Sequence, residues 1–317
     1  MGYTGAKSSV LLGIESTFAT AATLKYKLPF KSESINRKIE AVKSDALLGI
    51  RGTKALAPGK DGVEGSLELE VYPKSTGVLF YLGLGKQEAI DTDSDSTNDA
   101  VKITPIDLAE DLPSATIQVD HSGQKFLYTG MKVNSLKFSG AVGSIPTLSV
   151  DLVGYNEVIG AGTEGTLVDP GDEPFYFKEL MLYTDEFTTA TDLYSSVELN
   201  INNNLDTDDF RLDGTGKRAS IEAQQLEITG SIDIIFDASV ISGEYNKFVN
   251  FTDAALGIKL EKDSGEKLTI YLPRIRFSEM THDIGGPEKI TLKASFTALI
   301  PSSGNIIEVT DYTTTSY

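Results

Sequence analysis

An acidic run is the first place where this sequence resembles a site of known chemistry. Asp91, Asp93 and Asp95 begin like a calcium-binding loop, but that loop needs glycine at its sixth position and a bidentate glutamate at its twelfth. Ser96 and Lys102 occupy those positions. The pattern therefore favours a disordered acidic loop over a metal site.

Two Ser-x-x-Lys patterns, which begin at Ser122 and Ser264, have the spacing of an acyl-enzyme nucleophile and its base. That chemistry needs the serine at a helix start, with further Ser and Lys motifs nearby, and the sequence has neither. Gly123 and Gly265 follow the serines, which predicts two similar hairpin turns.

Residues 214–217 (Gly-Thr-Gly-Lys) resemble the end of a phosphate-binding loop. Arg211 stands where the first glycine is required, and Arg218 stands where serine or threonine should follow the lysine. No βαβ pattern surrounds the run. We interpret it as a structural loop.

The two histidines, His121 and His282, each adjoin an aspartate, Asp120 and Asp283 respectively. Either pair has the chemistry of a general base, but no nucleophile clusters with it in the sequence. Surface histidines are the interpretation that we favour. We accordingly predict no catalytic residue, no metal site, no cofactor and no enzymatic activity.

The composition excludes further classes of protein. The 317 residues contain no cysteine, so a disulfide framework, a thiolate nucleophile and a cysteine zinc site are excluded. Asp and Glu number 46 against 28 Lys and Arg, a net charge of −18, which argues against nucleic-acid binding. No apolar run is long enough to cross a membrane, and no secretory signal is evident. We therefore expect a cytoplasmic protein until a larger structure is assembled.

Charge is distributed unevenly along the chain. Residues 25–60 contain nine basic and three acidic residues, a net charge of +6, whereas the rest of the chain carries −24. A basic arm on an acidic body predicts self-association between unlike surfaces, because complementary potentials steer and align contacts. A solvated basic loop is the alternative.

Alternation of apolar and polar residues predicts a mainly β fold, because neighbouring side chains of a strand point to opposite faces. The alternating runs include residues 65–71, 148–152, 230–236 and 292–296. Two segments show helical spacing instead: residues 75–85 after Ser75, and residues 242–252 after Ser242. We predict one short helix in each half of the chain.

Three short segments recur in the same order. Residues 65–71 resemble 230–236, residues 122–126 resemble 264–268, and residues 147–150 resemble 291–294. We predict two similar β-sandwich or barrel modules, 1–158 and 159–317, each with a short flanking α-helix. The first module carries the basic loop (25–60) and an acidic insertion (86–113). The insertion accounts for the longer spacing between the first two repeated segments, which is 57 residues in the first module (Gly65 to Ser122) and 34 in the second (Gly230 to Ser264).

Several ordered motifs in roughly the first 90 residues resemble one known family. They are Gly13-Ile14-Glu15-Ser16-Thr17-Phe18, Leu28-Pro29-Phe30, Ser32-Glu33-Ser34, Leu48-Gly49-Ile50-Arg51-Gly52, Val63-Glu64-Gly65-Ser66-Leu67 and Leu82-Gly83-Leu84-Gly85. This series is similar to the tail tube (major tail) proteins of long-tailed bacteriophages, in their longer, internally duplicated form.

The resemblance implies a structural protein of the virion tail, assembled in the host cytoplasm, without catalytic residues or cofactors. Modules of this family form rings that stack into the tube through which DNA leaves the capsid, so two modules per chain imply a pseudo-hexameric trimer. The implied partners are further copies of the chain, a tape measure protein, and tail terminator and tip proteins. DNA would pass without specific binding, and no membrane is involved. Another β-rich phage or cell-surface adhesion module is the alternative.

The basic segment is our candidate for contact between stacked rings, because the family places an inter-ring extension there. The candidate residues are Arg37, Lys38, Lys43, Arg51, Lys54 and Lys60. Reversing the charges of Arg37, Lys38, Lys43 and Arg51 together is expected to give folded protein that does not polymerise. Part of the acidic body is expected to line the lumen, where negative charge would discourage adhesion of DNA.

Overall fold

The computed structural model describes residues 4–46, 49, 51–107, 109–171, 173–188, 190–284, 287 and 289–317. The fold is mainly β, as the alternation predicts. Leu67 and Leu69 lie buried in one strand, while Glu68 between them points to the other face. Leu48 and Ile50 of the Leu48–Gly52 motif fall outside the described residues.

The first half of the chain (residues 1–158) contains ten strands, and an eleventh ends one residue beyond it. They are β1 (Ser9–Ile14), β2 (Leu24–Leu28), β3 (Phe30–Glu33), β4 (Asn36–Lys43), β5 (Leu56–Glu70), β6 (Gly85–Ile90), β7 (Ala100–Pro105), β8 (Ala115–His121), β9 (Gln124–Ala141), β10 (Thr147–Gly154) and β11 (Asn156–Ile159).

The second half (residues 159–317) adds eight strands among the described residues. They are β12 (Glu164–Val168), β13 (Leu180–Tyr183), β14 (Tyr194–Asn202), β15 (Glu227–Ile235), β16 (Ala254–Glu261), β17 (Lys267–Thr281), β18 (Thr291–Ala298) and β19 (Glu308–Asp311).

Each half has one main helical segment, as predicted, but both begin at other residues than expected. Helix α1 (Gly77–Leu84) follows Thr76 rather than Ser75. The second segment consists of α2 (Ala238–Val240), a π-helical turn (Ile241–Tyr245) and α3 (Asn246–Val249). Asp237 caps it by accepting the N–H groups of residues 239 and 240, so Ser242 is not the cap. Short 3₁₀ turns lie at Gly5–Lys7 and Phe177–Glu179.

Strand β9 joins two parts of the sheet network because it is long enough to belong to both. Its first part pairs with β8 and β11, beside β1, β2 and β12. Its second part pairs with β10 on one side and β14 on the other. The main sheet therefore runs in the order β5, β10, β9, β14, β15, β18 and β17, with β3 and β4 on the outer side of β5.

Strand pairs of the two halves have bulges at corresponding places. In the β9–β10 pair the extra residue is Asn134, and in the β17–β18 pair it is Ser278, 144 positions later. In the β3–β5 pair the extra residue is Lys31, and in the β14–β15 pair it is Ser195, 164 positions later. Bulges bend a strand at a defined point, so the corresponding strands change direction at the same place in their ladders.

The two halves interlock. Strand β14 lies between β9 and β15, and the 86–113 segment contains β6 and β7, of which β7 pairs with β19. Tyr317 stacks on Tyr81 of α1, and its hydroxyl donates to buried Asp311. A single cluster of buried apolar residues runs through both halves. No helix among the described residues is long and apolar enough to cross a membrane.

Candidate interaction surfaces

The acidic loop between β6 and β7 folds onto itself. The Asp91 carboxylate accepts the N–H groups of Asp93, Ser94 and Ser96 at 3.2, 2.7 and 2.7 Å. These bonds wrap the loop backbone around the Asp91 carboxylate. Carboxylate oxygens of Asp91, Asp93 and Asp95 lie within 4.8 Å of one another, but exposed acidic groups of this kind are common without an ion.

The two Ser-x-x-Lys segments form turns, as predicted. Gly123 has φ = 111° and Gly265 has φ = 99°, a region that glycine enters without steric penalty. Ser122 donates to the Thr4 carbonyl, and Ser264 donates to a carboxylate in its own turn. Neither serine is hydrogen-bonded to the lysine of its motif.

The two histidines and Lys217 of the 214–217 loop each contact a neighbouring side chain. His121 lies 3.8 Å from the Glu33 carboxylate, and His282 stacks on the ring of Phe236. Lys217 donates to the Asp61 carboxylate at 2.8 Å. The one cation of this loop is therefore directed at a carboxylate of the first half of the chain.

Strand β4 and the first part of β5 form an exposed β-hairpin, and we call the described residues within 36–58 the arm. All eight residues of β4 are exposed, and β4 pairs with β5 through the whole of its length. Ile39, Val42 and Leu56 are large apolar residues with more than half of their surface exposed. A paired hairpin with uncovered apolar side chains is typical of an element that binds another molecule.

The structure divides the six predicted contact residues into two sets. Three are engaged inside the chain: Arg37 binds Asp61, Lys38 binds Glu64 and Lys60 binds Asp208, all at 2.5–2.8 Å.

The other three candidates lie toward the tip of the arm. Lys43 lies 3.9 Å from Asp45 within the arm itself. Arg51 and Lys54 are exposed, with no ion pair to any other described residue. These three cations therefore bind no described carboxylate outside the arm.

Loop residues 203–222, which we call the brace, hold the base of the arm. Arg218 is only 6% exposed. Its guanidinium donates to the Glu64 carboxylate at 2.5 Å, to the Gly154 carbonyl at 3.1 Å and to the Thr207 carbonyl at 2.8 Å. The brace belongs to the second half of the chain, so the direction of the arm depends on both halves.

Asp61 of β5 is a second point at which the brace contacts the base of the arm, through Lys217. Arg37 donates two hydrogen bonds to its carboxylate, at 2.8 and 2.7 Å, and Lys217 donates a third. These donors lower the pKa of Asp61 from 3.8 to about 2. Since one pKa unit is equivalent to about 1.4 kcal/mol, the ionised form contributes about 2 kcal/mol to folding.

We predict that Asp61→Asn lowers the free energy of unfolding by about 2 kcal/mol at pH 7. The folded pKa of Asp61 is depressed, so this contribution is present above about pH 4 and is lost as the pH falls toward 2. Urea titrations of both proteins between pH 7 and pH 2.5 measure the difference. A difference that stays constant over this range would show that the Asp61 charge is not its source.

One face of the main sheet is polar across all seven strands. Lys137 and Glu198 form an ion pair of 3.1 Å across the β9–β14 boundary, surrounded by serine, threonine and asparagine side chains. The charged residues that point to this face are Glu68, Glu70, Asp151, Glu198, Glu227, Asp233 and Glu279, against Lys137, Arg276 and Lys293. The face is therefore hydroxyl-rich and moderately negative.

The main sheet ends at strands with an unpaired edge. Among the described residues, β3 and β4 pair only with β5, and residues 276–281 of β17 pair only with β18. The second helical segment, close to β17, exposes Ile241 and Val249, and Phe251 just after the segment is also exposed. Unpaired N–H and C=O groups beside apolar side chains form a template for another chain.

Sequence reasoning missed the brace and the interlocking of the halves. The basic segment was identified from charge alone, and its partners Asp61, Glu64 and Asp208 are spread over nearly 150 positions of the chain. The one available signal was Arg218, a cation directly after a glycine-rich loop that has the wrong residues for binding phosphate.

Comparison with known families identifies the family of this chain. The family model described as phage tail tube protein matches residues 5–298, more than nine-tenths of the chain. No curated protein matches the sequence. The match covers both halves, including the arm, the brace and every strand of the main sheet.

Proposed function

The chain belongs to the phage tail tube proteins, and from this premise we propose that it assembles into stacked rings that form the wall of a virion tail tube. Each ring would contain three chains, because two similar halves per chain give six similar sectors. Assembly would take place in the host cytoplasm. The resulting tube would be the conduit for DNA during ejection.

The observation that carries this proposal is the open main sheet. Its two ends, at β3 and at residues 276–281 of β17, each pair with a strand on one side only among the described residues. Strand edges of unlike sequence join head to tail, and such contacts give a closed ring when the rotation per subunit divides a full turn. Ring formation would satisfy both edges, which would otherwise promote uncontrolled pairing.

We propose that the polar sheet face lines the lumen. Duplex DNA carries about one negative charge per 1.7 Å of its axis, so a wall with an excess of carboxylates would not retain it. The Debye length of about 8 Å at physiological salt restricts this effect to close approach. The same wall would surround a tape measure protein before ejection, and the end rings would meet terminator and tip proteins.

We propose that the tip of the arm contacts the next ring. Strand β4 of the arm is exposed throughout, and Lys43, Arg51 and Lys54 bind no described carboxylate outside the arm. Arg37, Lys38 and Lys60 already bind carboxylates of their own chain, so reversing them would disturb the base of the arm as well as any contact. The sharper variant therefore changes the tip alone.

Replacing Lys43, Arg51 and Lys54 with glutamate is expected to give folded protein that forms single rings but at least tenfold fewer stacked tubes. The exposed side chains of the tip contribute little to the free energy of unfolding, so the melting temperature should stay within about 2 °C of that of the unchanged protein. Electron micrographs count rings and tubes. The matched control reverses Lys7, Lys25 and Lys178, which are exposed elsewhere. Equal tube yields from the two variants would contradict a role for the tip.

Negative-stain electron microscopy of the purified chain tests the proposed function itself. Concentrated protein at physiological salt should show hollow rings or tubes with a stain-filled centre. Solitary compact particles at every concentration would contradict tube formation and would favour a β-rich interaction module of another kind.

A further inference from the structure

We infer that the joint between neighbouring chains of a ring copies the joint between the two halves of one chain, residue by residue. This inference rests on the proposed ring and specifies which residues of neighbouring chains lie opposite each other. The template is the antiparallel pairing of β9 with β14. In that pairing Asn200 lies opposite Lys137, and Asn202 lies opposite Ser135.

The positions of the bulges match residues of the β9–β14 pair to residues of the two free edges, which are β17 at one end and β3 with β4 at the other. Ser278 corresponds to Asn134 and Ser195 corresponds to Lys31. Residues of β9 therefore map onto β17 by adding 144, and residues of β14 map onto β3 and β4 by subtracting 164.

Two glycines support the second offset independently. A Cβ on Gly65 would collide with the carbonyl oxygen of Ser34, and a Cβ on Gly230 would collide with that of Glu198. Ser34 and Glu198 are 164 positions apart. The outer strand therefore crosses the glycine at the same point in both halves.

These offsets place Asn36 of one chain opposite Thr281 of its neighbour, where the template has Asn200 opposite Lys137. They also place Lys38 opposite Glu279, two residues of opposite charge. Asn36, Lys38 and Glu279 are exposed in the single chain. Directly opposed cross-strand pairs of unlike charge stabilise an antiparallel ladder.

Apolar surfaces at the joint match in the same register. In the template, Asn203 follows β14 and donates to the Gly83 carbonyl, which helps to cover α1. Its counterpart is Ile39, which is 51% exposed. The counterpart of α1 leaves Val249 and Phe251 61% and 62% exposed. A second copy of this chain, joined in this register, would bring Ile39 onto that uncovered helical segment.

The chain has no cysteine, so a thiol cross-linker can join chains only at cysteines introduced by substitution. We expect Asn36→Cys with Thr281→Cys to give covalent dimers and trimers after treatment of assembled protein with a short bismaleimide. Opposed side chains in a ladder have Cβ atoms about 5 Å apart. The off-register control pairs Asn36→Cys with Arg276→Cys, about 16 Å further along the same strand, and each single variant is a second control.

The possible outcomes test the proposed register and the proposed ring separately. Cross-linked trimers that require both cysteines of the predicted pair support the inference. Tubes that form normally but cross-link no better than the off-register pair would overturn it while the proposed function stands. A link within one chain would also overturn it. Folded protein that forms neither tubes nor cross-links would remove the proposed function and this inference together.

Discussion

Replacing Arg218 with glutamine is expected to lower the free energy of unfolding by about 3 kcal/mol, the largest effect of any single side chain in the brace. The guanidinium satisfies the carbonyls of Thr207 and Gly154 and the carboxylate of Glu64 in a buried position. Glutamine is too short to reach all three groups. Buried acceptors that lose their donor cost about 1–3 kcal/mol each, and loss of a charged partner costs more.

The matched control is Arg211→Gln in the same loop. Arg211 is exposed and, among the described residues, donates only to Asp209, also in the brace, so its loss should cost less than about 1 kcal/mol. Urea denaturation measures both variants, and hydrogen exchange of the β4 amides measures the freedom of the arm. Equal stabilities and equal exchange in the two variants would show that Arg218 does not hold the arm.

Replacing Gly230 with alanine is expected to destabilise the fold by about 3 kcal/mol, because overpacking at a tight backbone contact forces strands apart. The new Cβ would lie less than 3.0 Å from the carbonyl oxygen of Glu198 and from the ring of Phe296. The first of these is backbone of the paired strand β14, so the contact is relieved only by moving β14, which lies at the boundary of the two halves.

Gly65→Ala should behave in the same way, since its Cβ would meet the backbone of Ser34 and Ile35. Gly243→Ala is the control, because the space around Gly243 is open and alanine is the better helix former. Thermal unfolding monitored by circular dichroism compares the three variants. A Gly230→Ala variant as stable as the Gly243→Ala variant would contradict the close approach of β14 to β15.

Patterns in the sequence predicted the parts of the fold that depend on nearby residues. Alternation identified strands such as β5 and β15 because burial of one sheet face imposes a period of two. The glycine turns at Gly123 and Gly265 followed from their backbone requirements. Helix positions were approximately correct, but the capping residues were wrong: Asp237, rather than Ser242, accepts the first N–H groups.

These patterns could not predict features that depend on contacts between residues far apart in the sequence. A basic segment reads as a free cationic surface, yet Arg37 and Lys38 bind carboxylates of β5, and Lys60 reaches Asp208 of the brace. The acidic insertion reads as solvated chain, yet β7 within it pairs with β19. Charge complementarity and edge pairing are set by the tertiary fold, and no local period in the sequence encodes them.

The most direct test of this account is a cryo-electron microscopy reconstruction of the assembled tube in cross-section. Three chains per ring are expected, arranged as six similar sectors around an open centre, with the faces of β5 and β15 that carry Glu68 and Asp233 directed inward. A ring of six chains, or a lumen lined by the first half alone, would contradict the claim that the two halves occupy equivalent places in the wall.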